Sequence, residues 1–168
     1  GINTEFYQGT DTELLENNGV DTAQDVIGYC GRIGWEKNLD DLKEVAEYFD
    51  GEIVVAGDGG AKEEILPQLE EAGITYLGWL EDSQMPAFYS AIDLIIQPST
   101  VETQGKTVLE ANACGTPAVG ADAKALRETI QEGVNGEKYQ SGDIEDMKKE
   151  IDKALEADYE NREFVREN

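Results

Sequence analysis

The chain of 168 residues contains no histidine, so no imidazole is on hand as a base or metal ligand near neutral pH. Cations are also scarce: 13 lysines and arginines stand against 37 aspartates and glutamates, a formal charge of −24. Such a surface repels nucleic acid and anionic lipid and argues against both as partners. Cysteine is limited to two residues, too few for a disulfide framework. Cys30 ends the apolar run Val26-Ile27-Gly28-Tyr29 and Cys114 closes a small-residue helix, so both are expected as buried reduced thiols of a cytoplasmic protein. No apolar run reaches the roughly 18 residues of a membrane span, and no basic stretch followed by an apolar one opens the chain.

What is present is an apolar content of 39% arranged in periodic blocks, which favours a folded domain over acidic disorder. The length suits one core, or one domain of a larger protein. Self-repulsion at this charge is tolerable where salt screens it, since the Debye length falls to about 3 Å at 1 M, and the expected setting is a cytoplasm of high salt.

From residue 26 onward, short apolar runs alternate with amphipathic helical patterns, the mark of βα units stacked around a parallel sheet. The expected strands are Val26 to Cys30, Glu52 to Ala56, Ile74 to Leu77, Asp93 to Gln97, Pro117 to Gly120 and Gly136 to Tyr139. Between them, Leu42, Val45, Ala46 and Phe49 mark one helix face and Ile65, Leu69 and Ala72 a second. Ser83 is expected to cap a third helix with Pro86 in its first turn, and Gly115-Thr116-Pro117 stops a fourth. The last helix starts near Asp143, carries Ile144, Met147, Ile151 and Leu155, and runs on into the tail ending at Asn168. The fold class is therefore α/β, a Rossmann-like doubly wound parallel sheet of about six strands over residues 26–168. Residues 1–25 read as a linker or crossover segment. An opening on Gly-Ile-Asn-Thr without methionine reads as an excised part of a longer protein.

In such sheets ligands sit at the carboxyl ends of the strands. The loop after the fourth strand, PSTVETQGKTVLEANACGTPAVG at 98–120, sets Glu102 and Glu110 on either side of Gly105-Lys106-Thr107. A helix beginning there exposes unpaired N–H groups that can hold a phosphate, and Lys106 adds charge. Glu110 in an apolar helix is costly to bury without a partner, and a ligand hydroxyl would satisfy it. After the first strand, Arg32 can grip phosphate in fork geometry and Lys37 can act as a point charge; pairing with nearby carboxylates is the alternative. Ala56-Gly57-Asp58-Gly59-Gly60 is an incomplete GxGxxG, because Lys62 stands where the last glycine would, and reads as a tight turn without a ligand.

Gly31-Arg32, Lys37, the GDG turn at 57–59, LGWL at 77–80 and PSxxExxGxxxLEAxACGTPAV at 98–119 resemble the C-terminal half of retaining GT-B glycosyltransferases of group 1, also called family 4. The resemblance extends to Gly1-Ile2-Asn3 and Phe6, which look like that family's crossover into this half. It implies a half that binds a nucleotide-diphosphate sugar as donor substrate, with no cofactor and no obligatory metal. Arg32 and Lys37 would hold the diphosphate, Gly105, Lys106 and Thr107 would present the helix start to it, and Glu110 would accept from the ribose hydroxyls. Glu102 would contact the donor sugar, and backbone at Gly78 to Leu80 would border the base. The catalytic set so implied is Glu102, Arg32 and Lys37. Departures are Gln104, where the family usually has a hydrophobic residue, and Trp35, where it is more often small or polar. The implied partners are the donor and an acceptor of unknown kind. The family's N-terminal domain, with its histidine, is not in this sequence; any membrane contact would run through it, and without it the isolated domain is expected to transfer little sugar. Two rivals remain: a glycoside hydrolase using Glu102 and Glu110, whose carboxyls would need to lie roughly 5 to 9.5 Å apart across one bond, and a non-catalytic nucleotide-sugar or partner-binding module of the same fold.

Overall fold

Apolar runs with no polar alternation are what a strand covered on both faces requires, and each of those foreseen becomes a strand of one parallel sheet. The computed structural model describes residues 12–102 and 105–159. Its strands are β1 (Val26–Cys30), β2 (Glu52–Ala56), β3 (Thr75–Gly78), β4 (Leu94–Gln97), β5 (Ala118–Ala121) and β6 (Gly136–Tyr139). They pair in the order β3-β2-β1-β4-β5-β6, every pair parallel. The chain thus builds outward from β1 in one direction and restarts beside β1 in the other, which puts a topological switch point between β1 and β4.

The helices are α1 (Glu13–Glu16), α2 (Asp40–Tyr48), α3 (Lys62–Glu71), α4 (Met85–Ala91), α5 (Lys106–Ala113), α6 (Lys124–Thr129) and α7 (Ile144–Glu156). Alternate strand residues feed two cores. Ile27, Ile53, Val55, Leu94 and Ile96 meet Leu42 and Val45 of α2, Ile65 and Leu69 of α3, and Met147 and Ile151 of α7. On the other face Val26, Val54 and Ile95 meet Phe88 and Tyr89 of α4, Val108 and Ala111 of α5, and Leu126 of α6.

Several expectations need correction. Residues 12–25 hold α1, and Leu15 and Val20 lie in the second core at 0% and 4% exposure. Each buried aliphatic side chain of this kind contributes about 1.5–3 kcal/mol, so this stretch is docked. Ser83 caps nothing. Residues Asp82–Gln84 wind as a 3-10 turn ahead of α4, and Glu81 and Gln84 exchange a capping box instead. Pro86 does stand in the first turn of α4. Strands β3, β4 and β5 each begin one residue later than expected, and α6 was not foreseen because six residues with one buried side chain show no period. Helix α7 is capped by Asp143, whose carboxylate accepts from Asp146 N at 3.0 Å, and it ends at Glu156, before the tail. The crossover residues Gly1-Ile2-Asn3 and Phe6, the departure at Gln104 and the tail from 160 onward lie outside the described residues.

Candidate functional site

The loops that leave β1 and β2 approach one another too closely for side chains at two positions. A Cβ on Gly57, whose φ is +138°, would stand 1.8 Å from the carbonyl oxygen of Gly31, and one on Gly59 would stand 2.3 Å from that of Ile33. The contact is laced by Gly31 N donating to Ala56 O at 3.1 Å and Ile33 N donating to Asp58 O at 2.9 Å. Below it the buried Tyr29 hydroxyl donates to Arg32 O at 2.7 Å. The glycine turn, expected as a tight turn without a ligand, lets the two loops approach closely and brings Gly57 and Asp58 to the wall of a cleft.

Both cations of the first loop have protein partners. Arg32 Nε lies 3.0 Å from Glu36 Oε1 in an exposed pair, and Lys37 Nζ lies 2.7 Å from Glu102 Oε1 in a largely buried one. The backbone turns just after Lys37 at Asn38, which takes a left-handed φ of 56° and donates from Nδ2 to Pro98 O at 3.1 Å. The loops after β1 and β4 are therefore tied to each other on one side of the switch point.

Helix α5 starts at Gly105, whose φ of 62° favours glycine and whose Cβ, if added, would stand 2.6 Å from Thr129 Oγ1. That leaves Lys106 and Thr107 in the first turn and Glu110 in the second, as the spacing foretold. A cleft of about 410 Å³ opens beside this turn. It gathers Arg32, Leu80, Lys106, Thr107 and Glu110 from the expected set. Lys37 and Glu102 pair with each other and do not line it, and neither do Gly78 and Gly105. Glu102 and Glu110 thus stand in different surroundings, one paired with Lys37 and the other lining the cleft.

Sequence reasoning missed Asp82, Met85 and Tyr89, and passed over Trp79 although it lies within LGWL. Trp79 is 65% exposed, an unusual placement for that ring. Cys30, expected buried, is half-buried and also lines the cleft. Burial and the Glu110 carboxylate push its thiol up to about 12, so it is not a nucleophile near neutral pH. Burial likewise raises the pKa of Glu110, with Lys106 opposing and Asp82 reinforcing the shift. Among the described residues the side chains of Asp82, Lys106 and Glu110 make neither hydrogen bond nor ion pair, and no group of three or more metal-ligating side chains occurs. The cleft combines an anion-receptive helix start, two cations, an exposed aromatic ring and carboxylates that can accept from hydroxyls or N–H groups.

The sequence model of the family described as "Glycosyl transferases group 1" matches residues 10–168. A 2-deoxystreptamine N-acetyl-D-glucosaminyltransferase of Streptomyces fradiae is 32% identical over 129 residues, 70% of this chain and 31% of the relative. The sulfoquinovosyl transferase SQD2 of Arabidopsis thaliana is 31% identical over 163 residues, 95% of this chain and 32% of the relative. The chain thus spans about a third of the length of these curated relatives. Among solved structures, Anabaena HepE in complex with UDP-glucose superposes with a TM-score of 0.81 at 25% identity, over all of this chain and 49% of that one. The C-terminal domain of a group 1 family protein from Francisella tularensis gives 0.78 at 23% identity, over all of this chain and 94% of that one, and bears on the fold alone.

Proposed function

We propose, from the premise that this chain belongs to the group 1 glycosyl transferases, that it is the donor half of a GT-B enzyme and binds a nucleoside-diphosphate sugar in the cleft beside the switch point. The observation that carries this reading is the meeting, in one cleft, of Arg32, Lys106, Thr107 and Glu110 with the start of α5. Lys106, Arg32 and the free N–H groups of the first helical turn face the diphosphate. They hold the charge that grows on it as the sugar leaves, which is electrostatic catalysis by groups already in place.

Glu110 accepts from the ribose hydroxyls, which supply the partners its half-buried carboxylate lacks within the chain. Backbone at Gly78 to Leu80 borders the base, and the ring of Trp79 gives it a flat surface. Glu102 meets hydroxyls of the donor sugar, with Lys37 fixing its carboxylate from 2.7 Å. Because Lys37 is held there, its share in binding the diphosphate is smaller than that of Lys106. Transfer proceeds with retention of configuration to an acceptor held by the remainder of the longer protein, so the chain alone binds donor but moves little sugar. The glycosyltransferase names of the relatives and the UDP-glucose complex of HepE support this assignment.

Calorimetric titration of the chain at high salt with uridine, guanosine and adenosine diphosphate sugars tests it. One of the three is expected to bind at a single site; absence of heat with all three would refute the proposal.

A further inference from the structure

Three carboxylates line the cleft, and their situations differ. Asp58 is paired with Lys62 Nζ at 3.1 Å and accepts from Gly59 N at 2.8 Å. Glu110 sits in the second turn of α5, one turn on from Lys106, the placement assigned above to ribose hydroxyls. Asp82 stands on the loop after β3, on a different element from Lys106 and Thr107, three residues past Trp79. The local capping work in that loop is done by its neighbours Glu81 and Gln84, so Asp82 is not needed there. Among the described residues its carboxylate has no hydrogen bond and no ion pair, and its backbone carbonyl accepts from Met85 N.

An unpaired carboxylate in a cleft that takes a diphosphate opposes the ligand's charge, unless the ligand brings N–H donors to it. The nucleobases differ sharply in what they can offer one carboxylate. Guanine presents N1–H and N2–H side by side, two parallel donors that match two carboxylate oxygens. Uracil presents one N–H flanked by two carbonyl oxygens, which face the carboxylate unfavourably. Adenine and cytosine each set an amino group beside a bare ring nitrogen, so one of two contacts is acceptor against acceptor.

We infer that this cleft selects a guanosine-diphosphate sugar, with Asp82 accepting N1–H and N2–H of the guanine edge and so setting donor specificity. The inference rests on the reading of the cleft as a donor site. A good bidentate pair discriminates between bases by about tenfold to a hundredfold.

The test is titration of the chain with GDP, UDP and ADP, repeated on Asp82→Ala and Asp82→Asn. Expected is GDP binding at least about tenfold tighter than UDP or ADP. Both variants should lose that margin while binding UDP no more weakly than the parent, with unchanged melting temperature because the Asp82 side chain is exposed and unbonded. UDP or ADP binding as tightly as GDP, or a GDP preference that survives both substitutions, overturns the inference and leaves the donor-site reading standing. No binding of any of the three overturns both.

Discussion

Two groups of polar side chains at opposite ends of the parallel sheet, one around Asn135 and one around Lys106, are partnered differently. At the end where β5 and β6 begin, Asn135 Nδ2 donates to Thr129 O at 2.9 Å and to Asn112 Oδ1 at 3.0 Å, and its Oδ1 accepts from Gln131 N at 2.6 Å. Asn112 in turn donates to Thr116 O at 2.9 Å. Glu137, 1% exposed, accepts from the Tyr159 hydroxyl at 2.7 Å and from Gly133 N at 3.2 Å through Oε2, while its buried Oε1 accepts no hydrogen bond and lies 3.5 Å from Lys153 Nζ. At the opposite end, Lys106, Asp82 and Glu110 find no such partners among the described residues. The Asn112 and Asn135 amides are satisfied within the chain and hold the fold, whereas exposed Lys106 and Asp82 and half-buried Glu110 leave their side-chain polar atoms open at the cleft.

The sharpest way to break that contrast is to remove a group from each end. Asn135→Ala strands donors and acceptors on three neighbours and should cost about 2–3 kcal/mol in urea unfolding, with nucleotide affinity of the folded protein unchanged. Lys106→Ala and Glu110→Gln should do the reverse, each weakening nucleotide binding about tenfold with no loss of stability. An Asn135 variant that loses affinity, or a Lys106 variant that loses stability instead, would erase the distinction.

How far the contrast was legible in the sequence depended on range. Apolar runs placed β1 and β2 to the residue and β3, β4 and β5 within one, because burial leaves a continuous local signal, and the expected bounds of β6 also match although Gly136-Glu137-Lys138-Tyr139 is no apolar run. Glycine and proline punctuation located the end of α5, where Gly115 takes a φ of 82°. The start of α5 with Lys106, Thr107 and Glu110 was equally local. The pairing of Lys37 with Glu102 was not, since 65 residues separate them and many carboxylates compete. Nor was the recruitment of Trp79, Asp82 and Tyr89 to the cleft, which follows from the path of the loop and helix after β3 and not from any spacing. Cys30 was read as buried from its strand, yet it sits at the strand's end, where the cleft opens.

Two smaller effects refine the comparison at the cleft end. A double-mutant cycle on Lys37→Ala and Glu102→Gln should return a stability coupling of about 1 kcal/mol or less, and Lys37→Ala should weaken nucleotide binding less than Lys106→Ala. A coupling of zero would mean the pair does not hold the two loops together. The pH dependence follows from Glu110, whose pKa is raised from 4.5 chiefly by burial. A raised carboxyl binds more protons in the folded than in the unfolded state, so its favourable contribution is complete below the unfolded pKa and is lost as pH rises through the folded one. Glu110→Gln should therefore melt slightly higher than the parent near pH 7, with the gap closing toward about pH 4. A gap that widens on acidification would reverse the sign of this assignment.

The central claim is that one end of the sheet is for a ligand and the other for the fold. Amide chemical-shift mapping during titration with a nucleoside diphosphate tests it most directly. Shifts should concentrate at Cys30 to Arg32, Trp79 to Asp82 and Gly105 to Glu110, leaving Asn112, Asn135 and Glu137 unmoved. Shifts centred on the Asn112, Asn135 and Glu137 end, or none anywhere at saturating nucleotide, would contradict the account.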